Sequence, residues 1–246
     1  MFGRDSEVDV DVDEVQDSDL TDSVEASIFR FPRLKIAILC FAFSVIAWSF
    51  PDYALKYLAF TNSNFFTLKY VWVVVTGQFI HVNLLHLLGN LIFLWVFGGV
   101  VQRHSNDRFV FITFLIGGAV GMVASGYWYG NSVSVVGASA GIMTLAALAM
   151  LAQPMAWSWF VMMPVGLFAF LYLLYNIAVA SSGLSDGIAY IGHLAGFGAG
   201  IVEGMVWMPH WQRNLKITLA MFIVFVVAMY ALGFVATKYL SGMSLI

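Results

Sequence analysis

Residues 189–204 read "AYIGHLAGFGAGIVEG". Glycine recurs at 192, 196, 200 and 204. A four-residue repeat falls on one face if the segment is helical. Such a face is a smooth stripe, and it lets a second helix approach to backbone contact. The repeat suits an apolar solvent, and the rest of the chain agrees. Of 246 residues, 61% are hydrophobic and 10% charged, whereas soluble domains carry roughly 25% charged residues. The sequence therefore predicts an all-α polytopic membrane protein. Within that setting His193, beside the stripe, is an ionisable group inside a span, and such groups are costly enough to be functional candidates by default.

Runs of about 20 apolar residues match the thickness of the hydrocarbon layer. Seven are expected: Leu34–Phe50, Asn83–Val101, Phe109–Tyr129, Val136–Ala152, Trp157–Ala180, Ile188–Trp207 and Ile217–Leu240. The connection Pro51–Thr76 mixes aromatics with polar residues and reads as interfacial, although "YVWVVVTGQFI" can also extend the second run. The fifth run, rich in Phe and Leu, reads as a movable wall. Ten of the 14 acidic residues lie in the first 25 positions. Residues 1–29 are thus expected to be a disordered acidic tail. They are not a signal peptide, since the start is acidic and no apolar core follows before Ile36. With the N-terminus inside, Arg4, Arg30, Arg33, Lys35, Arg103, Arg108, Arg213 and Lys216 flank the inner face, against Lys56, Lys69 and Lys238 outside. The positive-inside rule favours that orientation. It makes the N-terminus cytoplasmic, and the reading places the chain in a prokaryotic cell membrane. The single cysteine, Cys40, builds neither a disulfide nor a thiolate metal site.

Two further blocks carry polar groups. Residues 132–150, "SVSVVGASAGIMTLAALAM", place Ser139 between Gly137 and Gly141 at the head of an apolar run. The G-x-S-x-G pattern also marks the strand-to-helix elbow of soluble hydrolases, but the strand and surrounding fold that elbow needs are missing from the pattern. Residues 81–90, "HVNLLHLLGN", hold His81, His86 and Asn90. His86 and Asn90, four apart, share a helix face. Ordinary interhelical hydrogen bonds are the competing explanation for such residues when each block is taken alone. A zinc site needs three or four ligands, and no H-E-x-x-H or nearby carboxylate supplies them. Apart from serines and threonines, isolated Asn176 and Glu203 are the other notable polar groups in the spans.

Together the blocks hold the parts of a hydrolytic site. A serine hydroxyl needs an adjacent base to become a nucleophile, and His193 can serve if the small faces of Gly137–Gly141 and Gly192–Gly196 bring the two helices together. The oxyanion formed by attack on an amide needs preorganised donors. Asn90 offers its amide, His86 a ring N–H and Ser139 its own backbone N–H, which is unpaired near a helix start. Base-orienting third groups are usual. No carboxylate adjoins His193, so the sequence favours a Ser139–His193 dyad. Asp186, seven residues earlier and on the same face if the helix extends that far, is only a secondary candidate for a third member.

With these residues in view, the chain resembles the rhomboid family of intramembrane serine proteases. "GASAG" resembles its serine motif, "GHLAG" its sixth-helix motif and "HVNLLHLLGN" its second-helix motif, in register across roughly residues 34–210. The resemblance implies Ser139 as nucleophile, His193 as base, and His86 and Asn90 as oxyanion donors, with His81, Gly137, Gly141, Gly192 and Gly196 supporting them. It implies a six-helix core over 30–210, a serine at the bottom of a water-filled cavity, no cofactor and no metal. Substrates would be membrane proteins cleaved within a transmembrane segment, in the lipid bilayer, and nucleic acid is not a partner. Residues 211–246 would add a seventh helix. Four positions depart from the commoner family pattern: Ala140 stands where Gly usually follows the serine, Met143 replaces an aromatic that stacks on the base, Gln102 stands near a place often held by Glu, and the 51–76 loop lacks a Trp-Arg pair. An inactive relative that binds transmembrane clients, and a small transporter, are the competing readings. The halves of the chain show none of the repeat expected of many transporters.

Overall fold

The computed structural model describes residues 32–130, 133–183 and 187–243. The tail assigned to 1–29 and the candidate Asp186 lie outside the described residues. Among those described, ten helices follow one another: α1 (Pro32–Ser49), α2 (Pro51–Tyr57), α3 (Asn62–Phe66), α4 (Val73–Thr76), α5 (Leu84–His104), α6 (Asp107–Tyr129), α7 (Ser139–Ala152), α8 (Val165–Ser182), α9 (Tyr190–Trp207) and α10 (Trp211–Met243). Two short antiparallel pairs interrupt them. Strand β1 (Phe60–Thr61) pairs with β2 (Ser134–Val135), and β3 (Trp157–Ser158) with β4 (Met163–Pro164).

Helices α1, α5, α6, α8 and, over Trp211–Lys238, α10 are long and apolar enough to cross a membrane. The chain is an all-α integral membrane protein. Helix α7 is different. It has 14 residues, about 21 Å at 1.5 Å per residue, which is less than the roughly 30 Å of a hydrocarbon layer. The fourth run therefore does not start as a helix at Val136. Residues 134–138 descend as extended chain and loop, and the helix begins at Ser139. The fifth run also differs from expectation. Its first eight residues form the β3–β4 hairpin, turned at Met162 (φ 53°), and α8 starts only after Pro164. Apolar content alone does not separate such a hairpin from a helical turn. Between α1 and α5 the chain makes the short helices α2, α3 and α4 and a 3-10 turn at Gly77–Phe79, so "YVWVVVTGQFI" does not extend the second span.

Helix α7 is the axis of the packing. Every residue from Ala140 to Leu151 is buried, as expected for a helix that is apolar all round. Helices α5, α6, α8, α9 and α10 surround it. Its last carbonyls, which have no partner within the helix, are taken by Asn214 at the start of α10: Nδ2 donates to Leu151 O at 2.7 Å and Ala152 O at 2.9 Å. Beyond Asn214 and Thr218, α10 faces outward over nearly all its described side chains.

The glycine stripe of α9 sets the α7–α9 distance. A Cβ at Gly196 would run into the Ala140 carbonyl, one at Gly200 into the Thr144 carbonyl, and one at Gly204 would come within 2.5 Å of Leu151 Cδ1. Gly192, one turn earlier, faces α6 instead, against Ser125 and the Gly121 carbonyl. Thr144 Oγ1 crosses the gap and donates to Gly196 O at 2.7 Å. The small residues of "GASAG" play another part than the sequence suggested. Gly141 makes room for Phe114 of α6, and Gly137 for the His86 ring. On α7 it is Ala140, Thr144 and Ala147 that meet the stripe.

At the far end from Ser139, Gln102 joins three helices. Its Oε1 accepts from Arg33 Nε at 2.9 Å, and its Nε2 lies 3.5 Å from Asp107 Oδ1. Arg33 also lies 4.4 Å from the Trp95 ring centre, with Gly98 and Gly99 leaving space for its stem.

These contacts predict that Gly200→Ala lowers stability by about 1–3 kcal/mol, the usual cost of overpacking. Gly198→Ala, which meets nothing within 4 Å, should keep stability or raise it by up to about 1 kcal/mol. Thermal unfolding of the two variants in detergent checks the pair.

Candidate functional site

Ser139 is the first residue of α7, so its backbone N–H has no carbonyl one turn earlier to bond. Three anchors hold the chain just before it. Val135 is paired with Phe60 across β1–β2. Gly137, with φ +123°, donates its N–H to Gly77 O at 2.9 Å. Ala138 donates to His81 Nε2 at 3.5 Å. A positive φ costs glycine little, and the His86 ring would sit 2.9–3.0 Å from any Cβ at Gly137. Both facts favour glycine there.

His81 is fully buried, and its contacts fix its tautomer. Since Nε2 accepts from Ala138, Nδ1 carries the proton in the neutral ring and donates to Ser44 Oγ at 3.1 Å. Ser44 in turn donates to Phe79 O at 3.3 Å. The His81 carbonyl accepts from Trp48 Nε1 at 2.8 Å. His81 thus ties α1 to the loop before the serine.

Asn83 caps α5, its side chain accepting from His86 N–H at 2.8 Å. That places His86 in the first turn, its ring 5.0 Å from that of His81 and close against Gly137. One turn on, Asn90 Nδ2 donates to His86 O at 2.9 Å. The amide has two hydrogens, and the group faces a cavity of about 860 Å³. His86, Asn90, Ser139 and His193 all line that cavity.

His193 is in the first turn of α9. Its Nε2 lies 2.7 Å from Ser139 Oγ, and its Nδ1 lies 2.7 Å from Asn176 Oδ1 on α8. Serine and imidazole are therefore in direct hydrogen-bond contact, as the close α7–α9 packing requires. The Tyr190 ring, one turn earlier on the same helix, meets the His193 ring edge-on at 6.0 Å. Met143 is buried in the central core and does not line the cavity. Ala140 fits after the serine because Gly121 stands opposite its Cβ.

Asn176 was visible in the sequence only as a lone amide in an apolar run. Nothing in its spacing, 17 residues before His193, pairs the two, because the contact joins different helices. Among the described residues, no group of three or more His, Cys, Asp or Glu side chains comes together.

A family model, the Rhomboid domain, matches residues 68–210. That is more than half of the sequence, and the chain belongs to the rhomboid family. It is 31% identical over 146 residues to Rhomboid-like protein 11, chloroplastic, of Arabidopsis thaliana, covering 54% of this chain and 51% of that protein. It is 35% identical over 79 residues to Rhomboid protease GlpG of Salmonella newport (strain SL254), covering 30% of this chain and 29% of that protein. The matches thus span about half of the plant relative and under a third of the bacterial one.

The anchoring of the loop by His81 has a measurable consequence. His81→Phe keeps a ring but leaves the buried Ala138 N–H without its acceptor and Ser44 without its donor. The expected cost is about 1–3 kcal/mol. Thermal unfolding, together with faster hydrogen exchange at the Ala138 amide, reads it.

Proposed function

We propose that this chain is an intramembrane serine endopeptidase that cleaves transmembrane segments of membrane proteins with a Ser139–His193 pair. The 2.7 Å contact between Ser139 Oγ and His193 Nε2 carries the reading. His193 Nε2 takes the hydroxyl proton as Oγ attacks the scissile carbonyl. The resulting oxyanion is met by the Ser139 backbone N–H, the second Asn90 amide hydrogen and a ring N–H of His86. His193 then protonates the leaving amine, and the acyl group remains on Oγ. Water, activated by the same imidazole, releases it. Membership of the rhomboid family and the likeness to a relative named as a rhomboid protease support the assignment.

The site's depth suits the substrate. A serine at the head of a helix too short to cross the hydrocarbon can meet a peptide bond of a membrane helix, while the cavity above it admits water. The excess of Lys and Arg at the opposite end supports a cytoplasmic N-terminus and a cavity that opens outward. A tag at the N-terminus should then resist protease added to intact cells, and its digestion from outside would reverse the orientation.

A fluorophosphonate probe should label the wild type and fail to label Ser139→Ala. Both Ser139→Ala and His193→Ala should abolish cleavage of a model transmembrane substrate in liposomes. Asn90→Ala should slow cleavage by about 10²–10³-fold, the scale on which one oxyanion donor acts. Labelling that persists in Ser139→Ala removes that residue as nucleophile. A wild type that is never labelled favours an inactive, client-binding relative.

A further inference from the structure

Resting on that reading, we infer that Asn176 of α8 is a positioning residue for the base: its side-chain carbonyl holds His193 in the tautomer that accepts the Ser139 proton. A neutral imidazole has one donor and one acceptor nitrogen. To act as base, Nε2 must be the acceptor, so the proton must sit on Nδ1. The partner of Nδ1 decides this.

Asn176 presents the correct end. Its Nδ2 donates to Tyr172 O, one turn earlier on α8, at 2.8 Å. That leaves Oδ1 as the atom 2.7 Å from His193 Nδ1. The flipped amide would set a carbonyl oxygen against the Tyr172 carbonyl, two acceptors at hydrogen-bond distance. It would also direct an N–H at Nδ1 and force the His193 proton onto Nε2, facing the serine. The amide is fully buried, so water does not compete for the contact.

The position of Asn176 is singular on its helix. The buried residues Val165, Gly166, Leu167 and Ala169 all belong to the first turns of α8. In the second half, residues 171–183, Asn176 is the one buried side chain. Beside it Tyr172 meets Phe93 of α5 edge-on at 5.2 Å, and the Tyr172 ring stacks with Phe168. An apolar residue would suit a helix packed only by such contacts. A buried amide there needs a polar partner, and the partner it has is the base. The arrangement extends the Ser–His pair to three groups, with a neutral amide in the place that carboxylates occupy in other serine enzymes.

The test compares the full-length wild type with Asn176→Leu, which has the same γ-branched shape but no acceptor, and Asn176→Asp, whose buried carboxylic acid accepts from Nδ1 with one oxygen and, protonated, donates to the Tyr172 carbonyl with the other. All are assayed in liposomes on a model transmembrane substrate, and by the rate of fluorophosphonate labelling, which needs no substrate docking. Asn176→Leu should lower kcat and the labelling rate together by about 10- to 100-fold, with KM unchanged, by analogy with the loss seen when the hydrogen-bond partner of a metal-bound histidine is removed. Asn176→Asp should restore both to within about threefold of wild type. Should Asn176→Leu fail to fold, Asn176→Ala takes its place in the same comparison. Labelling of the leucine or alanine variant at the wild-type rate overturns the inference. So does a change confined to KM, or an aspartate variant as slow as the leucine one. Labelling that is absent from the wild type, or that survives in Ser139→Ala, removes the protease reading itself and the role of Asn176 with it.

Discussion

The separation of α7 and α9 governs everything at the site. Gly196 and Gly200 bring the two helices to backbone contact, and the Thr144 hydroxyl bonds across that contact to the Gly196 carbonyl. In lipid there is little hydrophobic force between helices, so close van der Waals packing and such hydrogen bonds supply the association. Ser139 and His193 sit at the adjoining ends of this pair. Their 2.7 Å contact is a by-product of how closely the backbones approach, and a side chain on the stripe would separate them before it touched either residue. The rest of the bundle keeps that pair in place. Helix α6 opposes both members through glycine, and Asn214 closes the far end of α7.

A second constraint acts on the loop before the serine. Backbone N–H groups inside a bilayer need partners within the protein. Here β1, Gly77 and His81 provide them in turn. The loop is thereby led down to the head of α7 with these backbone bonds made inside the protein. The same three bonds fix where the Ser139 N–H points.

Much of this could be read in the chain. The span pattern, the glycine period and the three polar blocks stood out because membrane interiors tolerate so few polar groups. What the pattern gave was faces, not neighbours. Gly141 lies on a small face of α7, yet that face meets Phe114 of α6 and not the sixth span. Asn176 stood alone in its run, and its partner lies on another helix. Gln102 and Ala140 read as departures from a family pattern, but Arg33 and Gly121 accommodate them in three dimensions. The hairpin at 157–164 was hidden for a different reason: its residues are as apolar as the helix they precede, so composition gives no boundary. Likewise the helical start at Ser139 is set by the β1–β2 pairing, and strands of two residues leave no periodic trace.

The short central helix has one more consequence. Helix α7 is rigid, encased on all sides and fastened at its lower end, so it acts as a gauge block. It sets the height of the serine in the protein's own frame, about 21 Å above the Asn214 cap. Lipids adjust their thickness around a membrane protein at modest cost, but they cannot lengthen this helix. In a thicker bilayer the serine therefore keeps its place among the side chains while sinking farther from the headgroups on its own side. Bilayer thickness would then change which residue of a passing helix stands level with Ser139, with no movement inside the protein.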